Sequence, residues 1–140
     1  MLEIEVGCAI IYAQDKVLIA QRHLEDSFGG YWEFPGGTRE PGETLERCLE
    51  REVFEELGVR IRPEKFLCRR DHEYVAKKIA LFFWLCAWVE GEPVAHDCKD
   101  FRWVSREEIR QVEFIPGDQD VLAGLLEHWE EYFKTRENSR

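Results

Sequence analysis

The sequence lacks an apolar run long enough to cross a bilayer. Its longest run, from Ile79 to Val89, is shorter than the roughly 20 residues that a membrane-spanning helix needs. No basic segment precedes the first apolar residues, so we expect neither a signal peptide nor membrane attachment. Positive charge is also scarce, because 19 Lys and Arg against 29 Asp and Glu give a net charge of −10. Duplex nucleic acid is bound through cationic contacts, so we expect no such partner.

Cysteine is sparse and irregularly placed. The five cysteines are an odd number and include no C-x-x-C pair. This pattern predicts free thiols in a reducing cytoplasm and argues against a disulfide framework or a zinc site. No repeat or low-complexity linker divides the 140 residues, of which 44% are hydrophobic. We therefore expect a single globular domain spanning residues 1–140.

The distribution of apolar residues and turn signals predicts alternating strands and helices. The expected strands are 3–12, 17–21, 31–37, 59–69 (interrupted by Pro63), 79–89 and 101–104, with a further strand or turn beginning at His72. The 79–89 strand is expected at the centre of the sheet, buried on both faces, with Trp84 and Trp88 in the core. The expected helices are 43–57, a short one capped by Ser105, and 118 to about 134, followed by a frayed tail.

The first of these helices has both ends marked in the sequence. Thr44 is suited to the N-cap, and Gly58 is a typical residue just past the C-terminus. The buried stripe is expected to consist of residues spaced four apart: Leu45, Leu49, Val53 and Leu57.

Three carboxylates share one face of the same helix. Glu52, Glu55 and Glu56 stand at i, i+3 and i+4, and Glu52 and Glu56 flank the apolar stripe. Carboxylates crowded near a low-dielectric surface repel one another, and a hard divalent cation such as Mg²⁺ would relieve that repulsion. Most glutamate-rich helices are simply solvated surfaces, and helical spacing alone does not exclude that interpretation.

The wider pattern is more specific. From Gly37 through Glu43 and Arg51 to Val59, the chain resembles the Nudix box, G-x5-E-x7-R-E-U-x-E-E-x-G-U, at every specified position, where U is a bulky apolar residue. Members of that family hydrolyse nucleoside diphosphates linked to another moiety, using Mg²⁺ or Mn²⁺. The resemblance implies that Glu52, Glu55 and Glu56 are metal ligands, joined by the Gly37 carbonyl. It also implies that Arg51 and Glu43 form an ion pair that orients the carboxylates.

The segment before the box narrows the resemblance. Arg22 and the run W-E-F-P-G-G at 32–37 are similar to the MutT subgroup, which removes oxidised nucleotides from the nucleotide pool. This similarity implies that Arg22 contacts phosphate or base and that Phe34 packs near the base. A surface charge for Arg22 and plain core packing for Phe34 are the alternatives.

Two aspartates complete the expected site. Asp97 falls where MutT-like enzymes carry an acidic residue, usually Glu, near the metals. It could ligate directly, act through water, serve as the base or be a loop residue without a role. Asp118 matches the position where an Asn or Asp reads the purine edge, and it could also cap the last helix. His96 is expected at the surface, and His72 receives no role.

The resemblance implies the Nudix fold, an α/β (α+β) arrangement with a mixed β-sheet sandwiched between helices. The implied activity is Mg²⁺-dependent conversion of a nucleoside triphosphate, 8-oxo-dGTP or a related (d)NTP, to the monophosphate and pyrophosphate. Either Glu52 or Asp97 would be the general base. The alternatives are hydrolysis of CTP, dCTP or a dinucleoside polyphosphate, or a nucleotide sensor without turnover. Sensors tend to lose the box carboxylates, which are all present here.

Overall fold

A mixed sheet organises the fold, and the computed structural model describes it over residues 2–138. The strands are β1 (Leu2–Ala13), β2 (Lys16–Gln21), β3 (Trp32–Glu33), β4 (Gly36–Thr38), β5 (Arg60–Tyr74), β6 (Lys77–Glu90) and β7 (Asp100–Val104). The helices are α1 (Leu45–Leu57), α2 (Arg106–Ile109), α3 (Pro116–Glu127) and α4 (Trp129–Asn138). Among these described helices, none combines the length and the apolar character needed to cross a bilayer.

The strands run in the order β3-β2-β1-β6-β5, with β4 also paired to β1 and β7 to β2. Only β1 and β6 pair in parallel among the described strands, from Leu2 opposite Lys77 to Tyr12 opposite Ala87. The first hairpin is formed as expected, with Ala13 opposite Lys16. The prediction of a mixed sheet is therefore confirmed.

Each face of the sheet has its own core, because successive side chains of a strand point to opposite faces. Ile10 and Tyr12 of β1 join a cluster with residues of α2, α3 and α4. Ala9 and Ile11 join a second cluster, which contains Leu49, Val53 and Leu57 of α1. The sheet is thus sandwiched between helices, as predicted.

Both ends of α1 are determined locally. The Thr44 hydroxyl accepts a hydrogen bond from the Arg47 N–H at 3.2 Å, so the helix begins at Leu45 instead of residue 43. Gly58 adopts the left-handed conformation (φ 70°), and its N–H donates to the Phe54 carbonyl at 2.8 Å. The expected buried stripe of α1 is present, with Leu45 partly exposed.

Strand β5 differs from the prediction because it runs unbroken to Tyr74. Pro63 does not interrupt it; the register with β6 shifts between Pro63 and Lys65, where a residue without an N–H can be accommodated. Residues 72–74 continue the same strand instead of beginning another element. Near the C-terminal end of β6, Trp88 is 37% exposed and not in the core, whereas Trp84 is partly buried.

The last predicted helix is two helices. α3 begins at Pro116, and its N-cap residue, Ile115, makes no side-chain hydrogen bond, so Asp118 is not a cap. His128 leaves helical geometry (φ −110°, ψ 20°) and separates α3 from α4. The tail expected to fray from residue 134 is helical to Asn138, and its last two residues lie outside the described part of the chain. The capped helix α2 is confirmed, since Ser105 and Glu108 form a reciprocal capping box.

Candidate active site

Two glycines of β4 let the strand approach both β1 and α1 closely. A Cβ at Gly36 would lie 1.8 Å from the carbonyl oxygen of Gly7, which is impossible without moving backbone. A Cβ at Gly37 would lie 2.1 Å from Oε2 of Glu52. The Gly37 backbone therefore sits directly against a carboxylate of the helix.

Arg51 connects the loop before α1 with the carboxylates on the helix. Its Nε and Nη2 donate to the two oxygens of Glu43 at 2.6 and 2.9 Å, a bidentate pair. Its Nη1 donates to Glu52 at 2.8 Å and to Glu55 at 3.2 Å. Nη2 also reaches the Thr38 carbonyl at 3.1 Å. One guanidinium thus fixes three of the box carboxylates relative to β4.

The charges of this network support one another. The hydrogen bond from Arg51, followed by that from the Glu40 N–H, lowers the pKa of Glu43 to about 2. The hydrogen bond to Glu43 in turn raises the pKa of Arg51 above its already high usual value. Both groups remain charged at any pH at which the protein would work.

Glu56 is the most perturbed carboxylate of the box. Burial, and then the negative charges of Glu33, Glu52 and Asp97, raise its pKa to about 9, partly offset by a hydrogen bond from the Gly36 backbone. Its Oε1 is buried and has no hydrogen-bond partner among the described residues. A buried acceptor without a partner is costly, so the atom indicates a site that a ligand would complete.

Glu52 and Glu55 differ in their exposure. Burial is the main cause of the raised pKa of Glu52, whereas Glu55 lies at the surface with 60% of its side chain exposed. Among the side chains that the structure describes, no three from His, Cys, Asp or Glu stand in an arrangement that holds a metal ion. The carboxylates instead contact Arg51 and the Gly36 backbone. The donor set of hard oxygens and the unpartnered Glu56 Oε1 nevertheless suit a divalent cation.

Asp97 reaches this region on a loop that covers the end of α1. The backbone N–H groups of His96 and Asp97 donate to the Glu56 carbonyl at 3.0 and 3.1 Å. The Asp97 side chain is 82% exposed and lies 3.2 Å from Nε2 of His23. Asp97 is therefore near Glu56 through its backbone, with its carboxylate turned towards His23. His96 is exposed, as expected.

Arg22 is held at the edge of the site by hydrogen bonds. Its Nη1 pairs with Glu33 at 3.0 Å, and its Nε donates to the Ser27 carbonyl at 2.7 Å. About a quarter of its side chain is exposed. Arg22 is thus an ordered cation and not a free surface charge.

Phe34 and Asp118 are in contact, but both are buried and they do not line an open pocket. The Phe34 ring is 3% exposed and packs against Phe83 and Phe114 in the core. Its backbone N–H donates to Oδ2 of Asp118 at 2.9 Å. Asp118 is 2% exposed, and burial raises its pKa to about 7. In this conformation the ring offers little surface to a base, so its contact with a base stays a prediction.

The sequence analysis missed Glu33, His23 and Gly36. Glu33 pairs with Arg22, and burial is the main cause of its raised pKa. His23 meets Asp97, which lies 74 positions along the chain. The only available signal was the acidic residue inside W-E-F-P-G-G, because the other contacts arise from tertiary structure.

Comparison with known proteins identifies the family. The NUDIX domain model matches residues 1–125. The CTP pyrophosphohydrolase of Escherichia coli K12 is 34% identical over 126 residues, covering 90% of this chain and 93% of that protein. The 8-oxo-dGTP diphosphatase of the same organism is 29% identical over 126 residues, covering 89% and 98%. The solution structure of the E. coli ORF135 protein is 32% identical with a TM-score of 0.80, and 95% of each chain is covered.

The matched family and the intact box agree with the position of the site at the junction of β4 and α1. The chain belongs to the NUDIX domain family and is a Nudix hydrolase of the MutT-like type.

Proposed function

We propose that this chain is a Mg²⁺-dependent pyrophosphohydrolase that converts a nucleoside triphosphate to the monophosphate and pyrophosphate. The observation that carries the proposal is the buried, unpartnered Oε1 of Glu56, which lies among carboxylates that repel one another. Such a cluster favours a multivalent cation and, through it, an anionic substrate. Cys8, Cys48 and Cys98 are buried free thiols and Cys68 is a half-buried one, which fits a reducing cytoplasm.

The metal would be held by the Gly37 carbonyl and the carboxylates of Glu52, Glu55 and Glu56, with Asp97 close by. Mn²⁺ would suit the same oxygen donors. A bound divalent cation would neutralise phosphate charge and lower the pKa of a water molecule.

The residues of the chain would then take separate roles. Arg51, anchored by Glu43, holds Glu52 and Glu55 in position. Glu52 is the better placed general base, because its pKa is raised and its carboxylate touches the Gly37 backbone. Asp97 is the alternative base, although its carboxylate faces His23 and solvent.

At the other side of the site, Arg22 and Asp118 would bind the nucleotide. Arg22 is an ordered cation suited to phosphate or to an acceptor on the base. Asp118, with a pKa of about 7, can donate or accept a hydrogen bond near neutral pH, which suits the polar edge of a purine. Phe34 would support this contact through its backbone bond to Asp118.

The relatives point to two substrate classes. One is named for CTP and another for 8-oxo-dGTP. Asp118 favours 8-oxo-dGTP as the substrate of this chain, whereas the CTP pyrophosphohydrolase has the higher sequence identity to it, 34% against 29%. A dinucleoside polyphosphate and a sensor without turnover are the remaining alternatives, and the sensor is disfavoured by the complete box.

The deciding experiment is hydrolysis of a nucleotide panel with Mg²⁺, with kcat/KM and products measured for each compound. The panel contains 8-oxo-dGTP, dGTP, CTP, dCTP, a dinucleoside polyphosphate and ADP-ribose. We expect pyrophosphate release with the highest kcat/KM for 8-oxo-dGTP. A higher kcat/KM for CTP would support the proposed reaction but show that the preferred base is cytosine. Tight binding without turnover would favour the nucleotide sensor.

Replacement of Gly37 by alanine tests the contact between β4 and Glu52. The new Cβ would displace the Glu52 carboxylate, which is the far end of a flexible side chain, so stability should change little. Because displacing a reacting group by about 1 Å can cost 10²-fold, we expect kcat to fall by about tenfold to hundredfold. Steady-state kinetics and thermal unfolding measure the two effects. A loss of Tm in proportion to the loss of activity would contradict this explanation.

Replacement of Arg51 by lysine tests the orienting ion pair. Lysine keeps the charge but cannot make the bidentate bond to Glu43 while also reaching Glu52. We expect kcat/KM to fall by about tenfold to hundredfold, as for other residues that orient metal ligands. Arg47→Lys, an exposed change on the same helix, is the matched control. Equal activities of the two variants would show that Arg51 does not orient the proposed metal ligands.

A further inference from the structure

Part of the sheet next to the start of α3 is apolar but only half covered. Ile4 and Val6 of β1 lie opposite Ile79 and Leu81 of β6, and all four residues are half-buried. Val6 and Leu81 pack at the margin of the core cluster that contains α3. These four residues, here named the open strip, form an apolar surface that continues the core towards solvent.

His72 stands at one side of the open strip. It lies directly opposite Ile79 in the antiparallel pairing of β5 and β6, and residues paired in this way share a face of the sheet. Its Nε2 lies 3.6 Å from where a Cβ of Gly117 would be, and Leu81 lies 3.4 Å from that same point. His72 therefore meets the first turn of α3 across the edge of the strip.

The Nε2 atom of His72 is buried and has no hydrogen-bond partner among the described residues. A buried nitrogen of this kind costs stability, because the hydrogen bond it made to water in the unfolded chain is not replaced. An apolar residue at this position would avoid that cost.

Asp118 follows Gly117 in the chain, so two polar groups flank one glycine. Its carboxyl is 2% exposed and is held by the Phe34 N–H at 2.9 Å. An apolar floor with a few convergent polar groups is the usual composition of a site for a planar heterocycle. His72 as a whole is only half-buried, so part of the residue is exposed beside the open strip.

We propose that His72 is a specificity-determining residue whose Nε2 hydrogen-bonds the edge of the substrate's nucleobase while the ring face of the base lies on the open strip. This inference rests on the proposed function, because it assumes a nucleotide substrate. His72 does not act on the phosphates, and it should therefore alter the choice of base and not the chemical step.

The first test compares His72→Leu and His72→Gln across the nucleotide panel. Loss of one hydrogen bond should reduce the kcat/KM ratio between the best substrate and the next by about tenfold in His72→Leu, through KM and not kcat. Glutamine, which can reach the same place with a donor or an acceptor, should restore part of that ratio. His128→Leu, at an exposed histidine, is the matched control and should leave the ratio unchanged.

Thermal unfolding of the same variants separates this role from a structural one. We expect the Tm of His72→Leu to equal or exceed that of the parent protein, because the lost nitrogen had no partner. A lower Tm with an unchanged substrate ratio would show that His72 serves the core, and the inference would be wrong.

A binding measurement without metal gives an independent readout. The ¹⁵N resonance of His72 Nε2 is followed while 8-oxo-dGMP or CMP is added, and we expect a saturable shift with the preferred monophosphate. If nucleotides are hydrolysed but neither this resonance nor the substrate ratio responds to His72, only this inference fails. If no nucleotide is bound or hydrolysed, the proposed function fails with it.

Discussion

Replacement of Glu56 by glutamine is expected to lower kcat by about 10³-fold, the largest effect of any single change considered, without lowering the Tm at pH 7. Removing one well-placed charge from the centre of an active site costs a factor of this order. Glutamine has the shape of glutamic acid but cannot supply a negative oxygen. The variant should therefore keep the fold and lose the charge that a divalent cation requires.

The unusual part of this prediction is that the loss of activity comes without a loss of stability. Burial and the neighbouring charges raise the pKa of Glu56 to about 9, so at pH 7 the side chain carries a proton in the metal-free protein. The neutral acid and the neutral amide then fit the same space beside the Gly36 backbone. In the unfolded chain the glutamate is ionised at pH 7 and the glutamine is not, so the variant should be at least as stable as the parent protein. Glu50→Gln, at an exposed carboxylate of the same helix, is the matched control and should change neither activity nor Tm.

Steady-state kinetics with the best substrate of the panel and thermal unfolding at pH 7 test both parts. A variant that keeps at least a tenth of the parent kcat would show that Glu56 is not needed at the metal. A variant that is inactive only because it is unfolded would show that the buried carboxyl is structural.

Locally determined features of this chain were predictable from sequence, and features that depend on tertiary packing were not. The ends of α1 follow from Thr44 and Gly58, whose conformational preferences act within one turn. The sequence predicts an interruption of β5 at Pro63, whereas a register shift against β6 accommodates this proline within one continuous strand. The apolar run predicts that Trp88 is in the core, but the last three residues of β6, Trp88 among them, are exposed, and the run itself does not indicate where burial ends.

The candidate site divides in the same way. The box spacing placed Glu43, Arg51 and Glu52 together, and the structure contains their hydrogen bonds. The sequence allows Asp118 to be either a helix cap or a site residue. In the structure its carboxylate accepts a hydrogen bond from the Phe34 N–H at 2.9 Å, 84 positions away in the chain, and it does not cap α3. Contacts of that kind arise when β3 and α3 are packed together, and no local pattern encodes them.

The affinity for Mg²⁺ is expected to rise about 10³-fold between pH 6 and pH 9. In this range the metal-free protein holds a proton on Glu56, whose pKa is about 9. A carboxylate must lose its proton to bind a metal ion, so each ion bound releases about one proton. The apparent dissociation constant should then fall about tenfold for each pH unit and level off above the pKa. Isothermal titration of Mg²⁺ in two buffers of different ionisation enthalpy measures both the affinity and the number of protons released.

The same proton also links pH to stability, and this gives a control that needs no metal. The folded-state pKa of Glu56 is raised above its unfolded value of 4.5, so its contribution to stability is complete below about 4.5 and is lost as pH rises towards about 9. Glu56→Gln lacks this titration, so in the presence of a chelator its stability relative to the parent protein should increase as pH rises from about 4.5 to about 9. Excess Mg²⁺ should reverse the order, because it stabilises only the chain that can bind it. If the difference in Tm between the two proteins changed neither with pH nor on addition of Mg²⁺, the metal would bind elsewhere than at Glu56.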